Sequence, residues 1–220
     1  MPVCFLLIGA YLIGSIPFGV IVGRVLRGVD VRKYGSGNIG FSNVLRVLGP
    51  GPAAMVLIGD GIKGAAPVLL GRWLLRSWFV GDPDLWLLAV GFAPILGHSF
   101  SVFLGFGGGR GVATTGGVLA GLCWPAAAMG LLVWAVSVGV TRYISVGSMA
   151  AAASVPIYMA LAGKRWEWTV FWCGVALLVV VRHLPNISRL LSGTEVKIGQ
   201  RVEVEEKSGE SAEEGQESLW

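Results

Sequence analysis

The chain has 220 residues, is 54% hydrophobic and 14% charged, and has a mean hydropathy of +0.71. This composition excludes an ordinary soluble globular protein, and the recurring apolar runs of nearly twenty residues match a hydrocarbon core roughly 30 Å thick. The net charge of +4 does not point to nucleic acid, because the basic residues sit at the ends of apolar runs, where membrane orientation places them.

In chain order, apolar runs cover 3–23, 53–75, 85–104, 143–163 and about 167–182. The first run has no basic segment before it, and its charges, Arg24 and Arg27, follow it. That order predicts an uncleaved first span with the N-terminus outside and the next loop in the cytoplasm. The stretch 112–140 is apolar throughout but is interrupted by Trp124-Pro125. Proline has no N–H and disfavours a helical residue before it, so the stretch is one kinked span or two short ones.

Charge parity separates these alternatives. With two short spans, 112–123 and 125–140, Arg142 and the basic residues after 181 face the cytoplasm. Twelve of the 17 basic residues are then inside, four (Arg72, Arg76, Lys164, Arg165) are outside, and Lys63 lies within a span. The expected fold is therefore all-α: a polytopic integral membrane protein of seven transmembrane helices, N-terminus outside and C-terminus cytoplasmic. Five spans is the fallback arrangement. Residues 1–193 form the membrane domain. The stretch 194–220, with eight glutamates, reads as an acidic, disordered and solvated tail. Cys4, Cys123 and Cys173 all fall in apolar segments without metal-site spacing, which predicts free, buried thiols.

Four polar clusters land on the cytoplasmic side of this topology. The first is "RKYGSGNIGFSNVLRVLG" (32–49), with Ser36, Asn38, Ser42, Asn43 and Arg46. These uncharged donors and one guanidinium suit a small phosphorylated polyol, whereas no carboxylate or histidine cluster accompanies them to hold a metal. A helix-capping turn explains Ser42 or Asn43 alone, but not the set with Arg46. The second cluster is "LGFGGGRGVATTGG" (104–117), which holds seven glycines and Arg110. A glycine backbone admits close approach of a ligand, the following helix presents free N–H groups, and Arg110 adds a fork suited to phosphate. Close helix packing is the competing explanation. The third cluster is "TRYISVGS" (141–148). The fourth is "RHLPNISRLLSGTE" (182–195), where His183 and Asn186 are three residues apart and His183 is a candidate general base.

Other features carry less. "GSGNIG" (35–40) fits a dinucleotide fingerprint but follows no strand, so that reading is rejected. His98 lies deeper in a span and reads as structural. Asp60 and Lys63, at i and i+3, are intramembrane charges that fit a functional pair and a structural salt bridge equally.

Three of these segments, "GSGNIGFSNVLRVLG", "GHSFSVFLGFGGGRGVATTGG" and "RHLPNISRLLSGTE", together resemble the cytoplasmic motifs of the bacterial acyl-phosphate:glycerol-3-phosphate acyltransferases, the PlsY family. "GSIPFG" (14–19) and "GDGIKG" (59–64) are also similar. The resemblance spans roughly 1–198. It implies a seven-span inner-membrane enzyme, active site facing the cytoplasm, that moves a fatty acyl group from acyl phosphate to the 1-hydroxyl of sn-glycerol 3-phosphate. The products are 1-acylglycerol 3-phosphate (lysophosphatidate) and phosphate, with no cofactor and no metal. By motif, catalytic roles fall on His183, Ser36 and Asn186. Substrate binding falls on Asn38, Asn43, Arg46, Gly108, Gly109, Arg110 and Ser148, with Ser148 favoured over Ser145, and Glu195 is more structural. The family loop usually reads Lys-Gly-Gly-Lys-Gly; here Gly107 stands for the first lysine and Arg110 for the second, and Phe41-Ser42 replaces the usual Ala-Thr. The rival class is a transporter of phosphorylated anions, which predicts an internal repeat and polar features on both faces. Neither is present in the sequence.

Overall fold

The computed structural model describes residues 2–78 and 82–200. Ten α-helices follow one another among them: α1 (Pro2–Ser15), α2 (Phe18–Arg27), α3 (Phe41–Leu48), α4 (Pro50–Trp78), α5 (Pro83–Ser99), α6 (Val112–Leu122), α7 (Trp124–Thr141), α8 (Ile144–Leu161), α9 (Trp166–Arg182) and α10 (Leu184–Leu191). No strand occurs among the described residues. Large apolar side chains are turned outward: Leu161 is 84% exposed, Val140 80% and Phe5 73%. In water such a surface would aggregate; in a bilayer it is the lipid-facing side.

Five segments are long and apolar enough to cross a membrane: Val3–Arg27, Pro50–Leu75, Pro83–Leu104, Trp124–Thr141 and Ile144–Leu161. A sixth is the pair Trp166–Arg182 and Leu184–Leu191, bent by 55°. The helix α6 is apolar but has only 11 residues, about 16 Å of rise, well short of the hydrocarbon thickness.

Two of the breaks fall at prolines, which lack a backbone donor, and at both of them side chains donate to neighbouring carbonyls. At Ile16-Pro17, between α1 and α2, Lys63 Nζ donates to Ile16 O at 2.7 Å and Ser101 Oγ donates to Ser15 O at 2.6 Å. At Trp124-Pro125 the apolar stretch divides into α6 and α7, and Arg72 Nη2 donates to Leu122 O at 3.1 Å. Ile16 O also accepts from Phe18 N at 3.1 Å, whereas for Ser15 O and Leu122 O the side chain supplies the partner, and a carbonyl left unpaired in an apolar medium costs several kcal/mol.

The closest helix crossings use reciprocal glycines. On α1 and α5, a Cβ on Gly14 would fall 2.3 Å from Pro94 Cα, and one on Gly97 would fall 2.2 Å from Tyr11 O. On α4 and α6, a Cβ on Gly64 would fall 2.2 Å from Thr114 O, and one on Gly117 would fall 2.0 Å from Gly61 O. Small residues thus bring these backbones into van der Waals contact, as membrane helix interfaces require. One apolar core, including Val68, Ile95, Val118, Met159 and Trp172, fills the space between α4, α5, α6, α8 and α9. A second, with Val20, Val31, Ile39, Val44 and Val56, seats α2, α3 and the loop between them on α4. All three cysteines are free, but Cys4 and Cys173 lie on exposed faces and only Cys123 is buried. The expectation of buried thiols thus fails for two of them, because an apolar stretch in a membrane helix can face lipid as well as protein.

Candidate active site

The 31–43 loop is built around one buried amide. Asn43, in the first turn of α3, donates from Nδ2 to Val31 O (2.9 Å), Asn38 O (2.9 Å) and Tyr34 O (3.2 Å). Its Oδ1 accepts from Ser36 N (2.8 Å) and Ser36 Oγ (3.2 Å). All its capacity is used within the loop, so Asn43 shapes the first motif instead of offering free donors to a ligand. Gly35 is needed beside it: its φ is +59°, and a Cβ there would sit 2.4 Å from Asn43 Oδ1. Asn38 accepts from Gly40 N at 2.8 Å, closing a turn before α3.

The glycine loop is held differently. Gly109 N donates to His98 O at 3.1 Å, so this N–H is not free for a phosphate. A Cβ on Gly109 would fall 2.1 Å from His98 Nε2, and one on Gly108 would fall 2.3 Å from His98 O; glycine is required at both positions for packing. On the other side, Arg182 donates from Nη2 to Gly108 O (2.8 Å) and from Nε to Gly109 O (3.1 Å). Gly111, at φ +76°, turns the chain into α6. Among the described residues nothing accepts from the N–H groups of Arg110 and Val112, which stand at the positive end of that helix.

The 182–195 segment and the start of α8 close the site. His183 is buried, and its Nδ1 lies 2.8 Å from Val179 O. A carbonyl only accepts, so in the neutral ring the proton sits on Nδ1 and Nε2 is an acceptor. Asn186 Nδ2 donates to Glu195 Oε1 at 2.7 Å, leaving its Oδ1 buried without a partner. Glu195 also accepts from Ser145 Oγ (3.0 Å) and from Arg189 Nε (2.7 Å), and lies 3.8 Å from Arg46 Nη2. The sequence favours Ser148 over Ser145. In the structure Ser145 joins this polar cluster, while the Ser148 hydroxyl donates to Ile144 O at 2.8 Å within its own helix.

A cavity of about 350 Å³ connects these parts. Arg110, His183, Ser145, Ser148, Ser42 and Thr115 mark its polar wall, and Leu119, Leu131, Trp134, Ala151 and Val155 its apolar wall. Of the residues singled out from sequence, Arg110, His183 and Ser148 line the cavity; Ser36, Asn38, Asn43, Arg46, Gly108, Gly109 and Asn186 do not. Thr115 is buried, faces the cavity and has no hydrogen-bond partner for its hydroxyl among the described residues. Burial lowers Arg110 to about 10, partly countered by Glu195 and reinforced by Arg189, Arg46 and Arg182. Burial likewise lowers Arg46. Both stay cationic at neutral pH, so Arg46, Arg110 and Arg189 share the one carboxylate of Glu195 in a partly dry site, with Arg182 nearby, which leaves a positive field for anions.

A family model for glycerol-3-phosphate acyltransferase matches residues 4–193. The chain belongs to the glycerol-3-phosphate acyltransferase family. It is 44% identical over 196 residues to the enzyme of that name from Desulforamulus reducens, covering 89% of this chain and 95% of the relative. It is 47% identical over 195 residues to glycerol-3-phosphate acyltransferase 2 of Moorella thermoacetica, covering 89% and 97%. A crystal structure of PlsY, an integral membrane glycerol 3-phosphate acyltransferase, in its glycerol 3-phosphate form superposes with a TM-score of 0.83 at 37% identity, covering 90% of this chain and 96% of that one. The lysophosphatidic acid form gives 0.81 at 36% identity, with the same coverage.

Within this acyltransferase fold the intramembrane charges find a packing role. Lys63 Nζ lies 2.8 Å from Asp60 Oδ1 as well as on Ile16 O, and His98 Nδ1 lies 3.6 Å from the same carboxylate oxygen and 3.2 Å from Thr114 Oγ1. The group ties α4, α5, α6 and the α1–α2 break together behind the glycine loop. Two contributors go unnoticed in the sequence. Arg182 looks like a topology charge at the end of a span and Thr115 like a filler hydroxyl, while Glu195, marked by its motif as structural, gains named partners only in the structure.

Proposed function

We propose that this acyltransferase moves a fatty acyl group from acyl phosphate to the 1-hydroxyl of sn-glycerol 3-phosphate, releasing phosphate and 1-acylglycerol 3-phosphate. The observation that carries this reading is a cavity with Arg110 and His183 on one wall and an apolar wall beyond them. The geometry suits an anionic headgroup joined to a hydrocarbon chain. The glycerol 3-phosphate and lysophosphatidic acid forms of the PlsY relatives support the acceptor and the product. Seven membrane segments, counting α6 and α9, with the N-terminus outside, fit the charge parity of the sequence, and that parity supports an active site facing the cytoplasm in a bacterial inner-membrane enzyme.

Acyl phosphate is a mixed anhydride and is already activated. The chain must hold two anions together, orient the hydroxyl on the carbonyl carbon and stabilise developing negative charge. The hydroxyl oxygen forms the new C–O bond, and the bond from that carbon to the phosphate oxygen breaks with its electrons leaving on phosphate. The hydroxyl proton goes to Nε2 of His183, the nitrogen that the Val179 contact leaves as acceptor. The second candidate base is the acceptor's own phosphate, with His183 then positioning it. No acyl-enzyme forms; a trapped acyl adduct on Ser36 or Ser148 would rule out direct attack. Arg110, the first turn of α6 and Arg46 offset the charge of the two substrates.

The deciding assay is the purified protein in lipid with acyl phosphate and glycerol 3-phosphate, following phosphate release and lysophosphatidate, with acyl-CoA and acyl carrier protein thioesters as alternative donors. Transfer from acyl phosphate alone is expected. Uptake of glycerol 3-phosphate into sealed vesicles without acyl transfer would favour the transporter class instead. His183→Ala should lower kcat by about 10³-fold with glycerol 3-phosphate binding retained.

A further inference from the structure

The loop that carries Arg110 is gripped from both sides by residues remote in sequence, and the grip determines which peptide edges are open. In a trans peptide the C=O and the N–H point in opposite directions. The Gly108–Gly109 peptide is held at both edges: its carbonyl takes Arg182 Nη2 and its N–H reaches His98 O. The Gly109–Arg110 peptide is held at one edge only. Its carbonyl takes Arg182 Nε, which turns the Arg110 N–H to the far side, where no described group accepts it. The same guanidinium stands 5.3 Å from the Phe100 ring, which limits its rocking. It does not line the cavity.

We propose that Arg182 is a positioning residue: its fork on the Gly108 and Gly109 carbonyls orients the glycine loop so that the Arg110 N–H, the Arg110 side chain and the first turn of α6 face an anionic substrate together. The inference rests on the reading of this loop as the anion site of the acyl transfer. A lysine cannot replace the fork, because its ammonium is a point charge on a flexible stem, whereas guanidinium presents two parallel donors to two adjacent carbonyls. Without Arg182 the Gly109 carbonyl is free to rotate toward the site, where it would repel an anion, and the Gly108–Gly109 peptide is left with the His98 contact alone.

The test uses the full chain in lipid nanodiscs, as wild type and as Arg182→Lys, Arg182→Gln and Arg182→Ala. Amide hydrogen exchange over 105–115 should be at least about tenfold faster in Arg182→Gln, the loss of two charge-assisted bonds, while α7 and α8 keep their protection. The value of kcat/KM for glycerol 3-phosphate should fall by about tenfold or more in Arg182→Ala and by less in Arg182→Lys. Added guanidinium should restore Arg182→Ala, and methylammonium should not. Unchanged exchange across 105–115 in Arg182→Gln overturns the proposal, and so does rescue by methylammonium equal to that by guanidinium, since charge alone would then suffice. If the wild type itself transfers no acyl group, the functional reading fails, and the exchange comparison still decides whether Arg182 holds the loop.

Discussion

The loops 31–43 and 105–111 both surround the site, and they are stabilised in opposite ways. The first is tied from within: one amide, Asn43, takes three carbonyls and the Ser36 N–H, and all its bonds are local. The second has little internal bonding near Arg110 and is held by Arg182 and His98, residues 73 and 11 positions from Gly109. A self-tied loop stands or falls with one residue. A loop clamped from outside leaves its own donors open, and changes within it should register in substrate affinity before they register in folding.

The largest test of this contrast is Asn43→Ala. It strands the Asn38 carbonyl and the Ser36 N–H and leaves Val31 O and Tyr34 O with only their backbone donors, a destabilisation on the order of 3 kcal/mol. Thermal unfolding in detergent should drop sharply, with activity lost in step. Unfolding within a few degrees of wild type would show that the loop does not depend on this amide.

Arg110→Ala should behave in the reverse manner. Its guanidinium makes no hydrogen bond among the described residues, so its loss should change stability by less than about 0.5 kcal/mol. The apparent KM for an anionic substrate should rise about 30-fold, the value of one charge-assisted fork. A large drop in melting temperature with KM unmoved would make Arg110 a structural residue.

Glu195 gives a pH-dependent test between these two. Burial raises its carboxyl pKa, but hydrogen bonds from Arg189, Asn186 and Ser145 outweigh that and hold it below its ordinary 4.5. A depressed carboxylate contributes stability that is present above 4.5 and is lost as the pH falls through the folded-state value. The wild-type melting temperature should therefore fall on acidification below about pH 5, and Glu195→Gln should lack that part of the fall. At neutral pH the variant should be less stable by about 2 kcal/mol, since Arg46 and Arg189 lose their counter-charge. Parallel pH profiles for the two proteins would remove Glu195 from the ledger of acid lability.

The helices are legible in the sequence as apolar runs, and the α6–α7 break as Trp124-Pro125, but the run 3–23 reads as one span and its division at Pro17 appears only in the structure. Arg110 and His183 are legible as well, since an isolated charge in a glycine run and a histidine at the end of a span stand out against an apolar background. The remaining assignments depend on partners that spacing does not show. Asn43 and Ser36 look alike as polar donors in one motif, yet one is the hub and the other its spoke. Arg182 is indistinguishable from an orientation charge until Gly108 and Gly109 come within reach, 74 and 73 residues away. Glu195 opens a run of eight glutamates, and although its motif marks it as structural, its contact with Ser145, 50 residues earlier, cannot be read from spacing. Long-range polar pairing leaves no period in the chain, and so the second layer of the site is the part hidden from composition and spacing.

The smallest expected effect comes from Gly107→Lys, which adds a second cation to the glycine loop. Gly107 is exposed, and its φ lies outside the left-handed region, so a side chain meets only Leu104 O, 3.2 Å from its Cβ. The ammonium would lie within a screening length of Arg110, about 8 Å at physiological salt, and would draw an anion by about threefold or less in KM, with kcat unchanged. Because that pull is long-range charge and not a fitted contact, it should vanish in high salt; a change that persisted there would mean the loop had moved. The matched substitution in the self-tied loop is Gly35→Lys. Its φ of +59° and the 2.4 Å approach of a Cβ to Asn43 Oδ1 leave no room for a side chain, so the variant should unfold where Gly107→Lys only tunes affinity. Equal tolerance at both glycines would erase the distinction between the two loops.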